Sequence, residues 1–215
     1  MKMCKGLKPL VWVNKLMHIN NKLKNQINDV LKKDGVIAFV TDTVWGLGCL
    51  PSSEIAIKKI YEIKKREAKK PLILMSNDVE NLKPYVKEIN AKAKELIKKH
   101  FPGALTLVLE KSQKTPDYIT SGFSTVGIRV PANEVFKEIC DSIIGHVLAT
   151  TSANLSDQPS AKTYEQAVQY VGNKCDLVIN DFGCMAEGLE STVALVEGNE
   201  IRILRQGAII VGCEQ

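Results

Sequence analysis

Directly after a helix-spaced segment that stops at Asp34-Gly35, the chain runs Val36-Ile37-Ala38-Phe39-Val40 without a polar residue. An apolar run of strand length has no side to give to water, so it reads as a strand covered on both faces. The segment before it, residues 20–33, places Leu23, Ile27, Val30 and Leu31 on one helical face. The same alternation then repeats. Ser52 or Ser53 caps a second helix with Ile55, Ile57, Ile60 and Ile63 as its apolar stripe, and residues 71–75 form the next short strand. Two further helices are expected between Asp78 and His100, then strands at 105–109 and 125–130. Asn133 caps a helix to about Ile139, and 147–149 leads into Thr150-Thr151-Ser152-Ala153-Asn154. Thr163 caps a helix to about Val171, and strands follow at 177–179, 192–196 and 201–204, the last two joined as a hairpin through Glu197-Gly198-Asn199-Glu200. Strands interleaved with helices predict an α/β fold around a mixed, twisted sheet. With no internal repeat or low-complexity linker in 215 residues, one domain over 1–215 is expected, its first 19 residues a loosely ordered extension.

Charge is spread unevenly. Residues 1–33 hold eight lysines against Asp29, and residues 58–70 hold seven Lys or Arg against Glu62 and Glu67. The whole chain carries only +5, so the remainder is acidic and a basic face able to attract a polyanion is expected. No stretch approaches the roughly twenty apolar residues that span a bilayer. The short run Leu10-Val11-Trp12-Val13 is broken by Asn14 and Lys15 with no cleavage site after it, so the expected location is the cytosol. Six cysteines stand singly, away from the three histidines, which reads as reduced thiols rather than a disulfide framework or zinc site.

Several polar clusters could carry chemistry. Thr41-Asp42-Thr43-Val44-Trp45-Gly46-Leu47-Gly48 follows the first buried strand, at the strand end where α/β sheets tend to bind ligands, and its glycines allow close backbone approach. It is equally a plain strand-to-loop turn with Trp45 as core. Neither a P-loop nor a dinucleotide fingerprint occurs, so a nucleotide would need another device. Lys64-x-Arg66, followed by Lys69-Lys70-Pro71-Leu72, ends a helix, where solvated cations alone would account for it; Arg66 could also fork onto a phosphate or carboxylate. Ser152-x-Asn154 is either a cap or turn, or a pair of ligand-facing polar groups, on opposite sides if the chain stays extended. Ser191-Thr192 after Glu190, and Arg205-Gln206-Gly207-Ala208, admit the same two readings. Arg129, inside Gly127-Ile128-Arg129-Val130-Pro131, needs an anionic partner if buried, either a structural carboxylate or a bound phosphate.

The order of these clusters is specific. T-D-T-V-W-G-L-G, K-x-R, P-G-A-L-T-L-V-L, V-G-I-R-V-P, T-S-A-N-L-S, S-T-V and I-L-R-Q-G-A-I, from about Asn20 to Ile210, resemble the YrdC/Sua5 family. The resemblance implies a YrdC-like twisted mixed sheet, parallel and antiparallel, flanked by helices, with a basic concave ligand-binding face. It implies a single-domain L-threonylcarbamoyladenylate synthase, a nucleotidyltransferase. Such an enzyme condenses L-threonine, bicarbonate and ATP, with Mg²⁺ on the ATP phosphates, to threonylcarbamoyl-AMP and pyrophosphate. The product serves a separate threonylcarbamoyl-transferase complex that modifies adenosine 37 of tRNA. By motif, Lys64, Arg66, Ser152 and Asn154 are the signature of the nucleotide and threonine site, with Lys64 and Arg66 as the catalytic cations. Thr41, Thr43 and Ser191 line the threonine pocket, Arg205 lies near the nucleotide and Lys70 near the substrate. No metal ligand set from the protein is implied. The chain departs from the usual pattern at Val40, Asp42 and Trp45, where proline, glutamate and tyrosine are common, at Glu67 for proline, and at Ser156-Asp157 for S-G.

The residues offer no covalent nucleophile, so positioning and charge stabilisation are the tasks left to the protein. The loop 65–70, without apolar anchors, is expected to close over the labile intermediate. Two other readings of the same basic face are a module binding tRNA or rRNA and a small-nucleotide hydrolase. An aromatic content of 6% argues against the first, which relies on stacking.

Overall fold

A computed structural model describes residues 19–65, 70–156 and 158–212. Residues 1–18 of the expected N-terminal extension, Arg66, Glu67 and most of the candidate closing loop lie outside the described residues; Ile19, expected to be loosely ordered, is instead buried, its N–H donating to Glu138 Oε2 at 2.9 Å.

Helix α1 (Asn21–Lys32) starts where the Asn20 side chain accepts the Leu23 N–H at 2.9 Å, and it buries Ile27 and Leu31 against the sheet. The apolar run becomes β1 (Ile37–Phe39), buried throughout as expected. The next element corrects the sequence reading. Residues Gly46–Cys49, expected to be loop, form β2, antiparallel to β1. Its glycines serve packing inside a strand: a Cβ at Gly48 would sit 2.9 Å from the ring of Phe39, which is fully buried.

In α2 (Glu54–Lys64), Ser53 is the cap, its hydroxyl accepting the Ala56 N–H at 3.0 Å. Ile57, Ile60 and Ile63 are buried, but Ile55 is 67% exposed because it stands well off their stripe at 100° per residue. The chain continues through β3 (Ile73–Ser76), two 3₁₀ turns in place of one expected helix, α3 (Ala91–His100) and β4 (Leu105–Glu110). Then come α4 (Asp117–Thr120), a short helix the sequence reading missed, β5 (Thr125–Arg129), α5 (Glu134–Ser142), capped by Asn133, and β6 (Val147–Ser152). Helix α6 (Tyr164–Ala167), capped by Thr163, passes into a π-helical turn over Val168–Gly172. The chain closes with β7 (Leu177–Val178), β8 (Thr192–Glu197) and β9 (Glu200–Arg205), with β8 and β9 the expected antiparallel hairpin.

Among the described residues, nine strands join one sheet in the order β7-β1-β2-β6-β3-β5-β4-β8-β9. The pairs β1–β7, β3–β5 and β4–β8 are parallel and the other five antiparallel, so the sheet is mixed. One contiguous apolar cluster packs α1, α2, α3 and α5 against it.

Candidate functional site

Three cross-strand pairs in the middle of the sheet, Ile73 with Thr150, Met75 with Arg129 and Thr106 with Val193, floor a cavity of about 400 Å³. The ligand-sized space therefore lies on a sheet face, with the loops after β1 and β6 and the start of β8 as its walls, rather than only at a strand end. Its volume is that of an ordinary small-molecule site.

The 41–45 loop is fastened internally. Thr41 Oγ1 donates to Val44 O at 2.6 Å and accepts the Thr43 and Val44 N–H groups at 3.2 and 3.3 Å. Thr41 is thus the pin of a tight turn, while Thr43 is held by Arg129. The Arg129 guanidinium donates to Thr43 Oγ1 at 2.8 Å, to Asp42 Oδ1 at 2.6 Å and, through Nε, to Gly103 O at 2.9 Å. Arg129 is 2% exposed. Burial lowers its pKa, with Asp42 opposing the shift. Of the two partners left open by the sequence, the structure contains the carboxylate.

Lys64 corrects the reading of a solvated helix end, being 2% exposed. Its ammonium donates to Ser152 O at 2.5 Å, Asn154 O at 3.0 Å and Asn154 Oδ1 at 2.7 Å. Ser152 Oγ also donates to Asn154 Oδ1 at 2.7 Å, so these two side chains converge instead of pointing apart. The Asn154 amide donates to Gln158 O, closing the loop.

On the far wall, Ser191 Oγ lies 2.9 Å from Thr106 Oγ1, and Arg205 donates to Ser191 O from Nε and Nη2 at 3.2 and 2.9 Å. Nη1 of Arg205 pairs with Glu190, whose other oxygen accepts from Ser160 Oγ at 2.6 Å. Lys70 lines the cavity, and its carbonyl accepts from Tyr61 OH at 3.0 Å. The structure thus gathers Thr41, Thr43, Lys64, Lys70, Ser152, Asn154, Ser191 and Arg205 around one space, with Arg66 outside the described residues. Sequence reasoning did not assign Arg129, Asp42, Glu190 or Thr106 to it. A cation inside an apolar strand was the usable signal for Arg129; Thr106 carried none, being one threonine in a strand.

The fold and this site define an α/β protein with a cation- and hydroxyl-lined cavity suited to a small anionic ligand. The chain belongs to the Sua5/YciO/YrdC family, whose model, described as "Telomere recombination", matches residues 29–207. A Vibrio cholerae protein named threonylcarbamoyl-AMP synthase is 33% identical over 184 residues, covering 85% of this chain and 96% of the relative. One of the same name from Idiomarina loihiensis is 36% identical over 151 residues, 69% of this chain and 81% of its own length. Among solved structures, P. abyssi Sua5 complexed with L-threonine superposes with TM-score 0.83 at 34% identity, over 89% of this chain and 56% of that longer one. E. coli YciO superposes with TM-score 0.80 at 25% identity, covering 89% and 92%. Among the described residues no helix is long and apolar enough to cross a membrane.

Proposed function

We propose that this chain is an L-threonylcarbamoyladenylate synthase acting at the cavity on the sheet face. The observation that carries the reading is the convergence of Thr43 with Arg129, Lys64 with Asn154, and Ser191 with Arg205 around one space of about 400 Å³. The relatives named for the reaction support it. In the proposed chemistry the amine of L-threonine forms a C–N bond to the carbon of bicarbonate, a C–O bond breaks, and the hydroxyl leaves as water with an amine proton to give a carbamate. A carbamate oxygen then attacks the α-phosphorus of ATP, and pyrophosphate leaves with the electron pair of the broken P–O bond.

Each side chain supports part of this. Lys64 fixes the Ser152–Asn154 turn and brings positive charge to the wall where phosphate would lie; Arg66 follows it in sequence. Thr43 and Ser191, held by Arg129 and Arg205, present oriented hydroxyls to the amino acid. Among the described lining residues the only carboxylate is Glu190, already engaged by Arg205. A Mg²⁺ ion arriving with ATP would therefore take its ligands mainly from phosphate oxygens and water, and neutralise phosphate charge. The product would pass to a threonylcarbamoyl-transferase complex for tRNA modification, and the lysine-rich residues 1–33 would attract tRNA itself.

The test is to incubate the protein with Mg²⁺, ATP, bicarbonate and each amino acid in turn, following pyrophosphate. Threonine-dependent release is the expected result. Amino-acid-independent hydrolysis, or no turnover together with tight RNA binding, would refute the reading.

A further inference from the structure

The cavity wall carries Lys64, Lys70, Arg129 and Arg205, and among the described residues a single carboxylate, Glu190. ATP and bicarbonate bring only negative charge to such a site. Under the synthase reading, on which this inference rests, the one positive group among the substrates is the ammonium of the amino acid. We propose that Glu190 is the counter-charge that receives this ammonium, and that it selects amino acids over hydroxy acids of the same shape.

The carboxylate is held where that role requires. Its backbone is clamped by the Ala208 N–H, which donates to Glu190 O at 2.9 Å, and the loop before it is tied to the 41–45 loop by Gly188 N–H donating to Thr43 O at 2.7 Å. Glu190 thus lies on the wall shared by Ser191 and linked to Thr43, the two hydroxyls assigned to the amino acid. Oε1 accepts one bond, from Ser160, and Oε2 accepts one, from Arg205. A carboxylate offers about four acceptor positions, so capacity for an N⁺–H donor remains. A charge-assisted bond of this kind discriminates strongly, because a ligand without the amine forgoes that bond and brings only its own negative charge beside the carboxylate. Arg205 alongside gives the complementary charge once the amine has become an anionic carbamate.

The experiment measures binding of L-threonine, of 3-hydroxybutyrate, which keeps the carboxylate and hydroxyl but lacks the amine, and of ATP, by calorimetry. Glu190→Gln keeps the size of the side chain and an acceptor for Ser160. It should weaken threonine roughly 10- to 100-fold, leave 3-hydroxybutyrate unchanged or tighter, and leave ATP no weaker. Glu190→Asp should restore part of the preference for threonine, and Arg205→Gln should retain that preference. If Glu190 only props Arg205, Glu190→Gln and Arg205→Gln will weaken ATP alike while the preference for threonine survives, and the proposal is overturned. If the wild-type protein binds no threonine at all, the synthase reading itself falls, a failure distinct from loss of preference in the variant.

Discussion

Asp42→Asn removes the charged partner of Arg129 while keeping the shape of the loop. The pair is nearly dry, with side-chain exposures of 3% for Arg129 and 12% for Asp42. Breaking a buried ion pair from one side costs about 3–5 kcal/mol, because the other charge is left stranded. Arg129 would keep Gly103 O and Thr43 Oγ1 as acceptors, and Asp42 retains some contact with water. Both place the loss at the lower end, about 3 kcal/mol. For a chain of this size that is a drop in Tm of about 6–12 °C. The assay is equilibrium urea unfolding, with the midpoint shifted and the m-value unchanged. The double variant Asp42→Asn with Arg129→Met removes the stranded charge and should recover part of the loss. A loss under about 1 kcal/mol in the single variant, or strict additivity in the double, would refute the claim that this pair is buried and mutually dependent.

Lys64→Ala should stop threonine-dependent pyrophosphate release. It should also cost about 2–3 kcal/mol in urea unfolding, since Ser152 and Asn154 lose a buried charged donor; unchanged stability would return Lys64 to the solvated helix end first expected. Gly207→Ala should impair threonine and ATP binding in titration, because the new Cβ would sit 2.3 Å from Glu190 O and 2.5 Å from Ser191 C, displacing backbone at the site. Burial pushes the Cys49 thiol from 9.0 up to about 12, and the Cys140 thiol also up. At pH 8 the Cys49 thiolate fraction is then about 10⁻⁴, so native Cys49 and Cys140 should resist iodoacetamide in a mass-spectrometric assay and react after unfolding. The sign of the linked stability follows: the unfolded chain releases these protons above about pH 9 while the folded chain keeps them. Stability is therefore fully present below that pH and falls as pH rises through it, by up to about 1.4 kcal/mol per pH unit per thiol; a urea midpoint that rises between pH 9 and 10.5 would contradict it.

The alternation of apolar runs and helical stripes was enough to read α1, β1, α2, α3 and the closing hairpin, because burial on one or both faces leaves a periodic trace. β2 left none. Gly46-Leu47-Gly48 looks like turn chemistry unless one knows that the Phe39 ring lies across those glycines, a contact that exists only once β1 and β2 pair. The burial of Lys64 was partly legible, since it falls on the stripe of Ile57 and Ile60, and a cation on an apolar face needs partners. What could not be read was their identity, because Ser152 and Asn154 arrive from a strand ninety residues on, and their convergence depends on the Ser152 hydroxyl turning back onto the Asn154 amide oxygen.

The two arginines order the hydroxyls of the cavity rather than simply making it basic. Each binds an acid and the hydroxyl residue that follows it: Arg129 takes Asp42 and Thr43, and Arg205 takes Glu190 and Ser191. The loop leading into the second dipeptide is tied to the first by backbone bonds from Glu187 and Gly188 to Asp42 and Thr43. Two hydroxyls on different loops are thereby fixed relative to each other before any ligand arrives, which is the condition for electrostatic preorganisation. The arginines also sense each other, since Arg205 helps to lower the pKa of Arg129. An anion seated between them relieves that repulsion, so a carboxylate or phosphate ligand should raise the folded state's stability in proportion to the logarithm of its concentration. A neutral ligand of the same shape would gain the hydroxyl contacts without that relief.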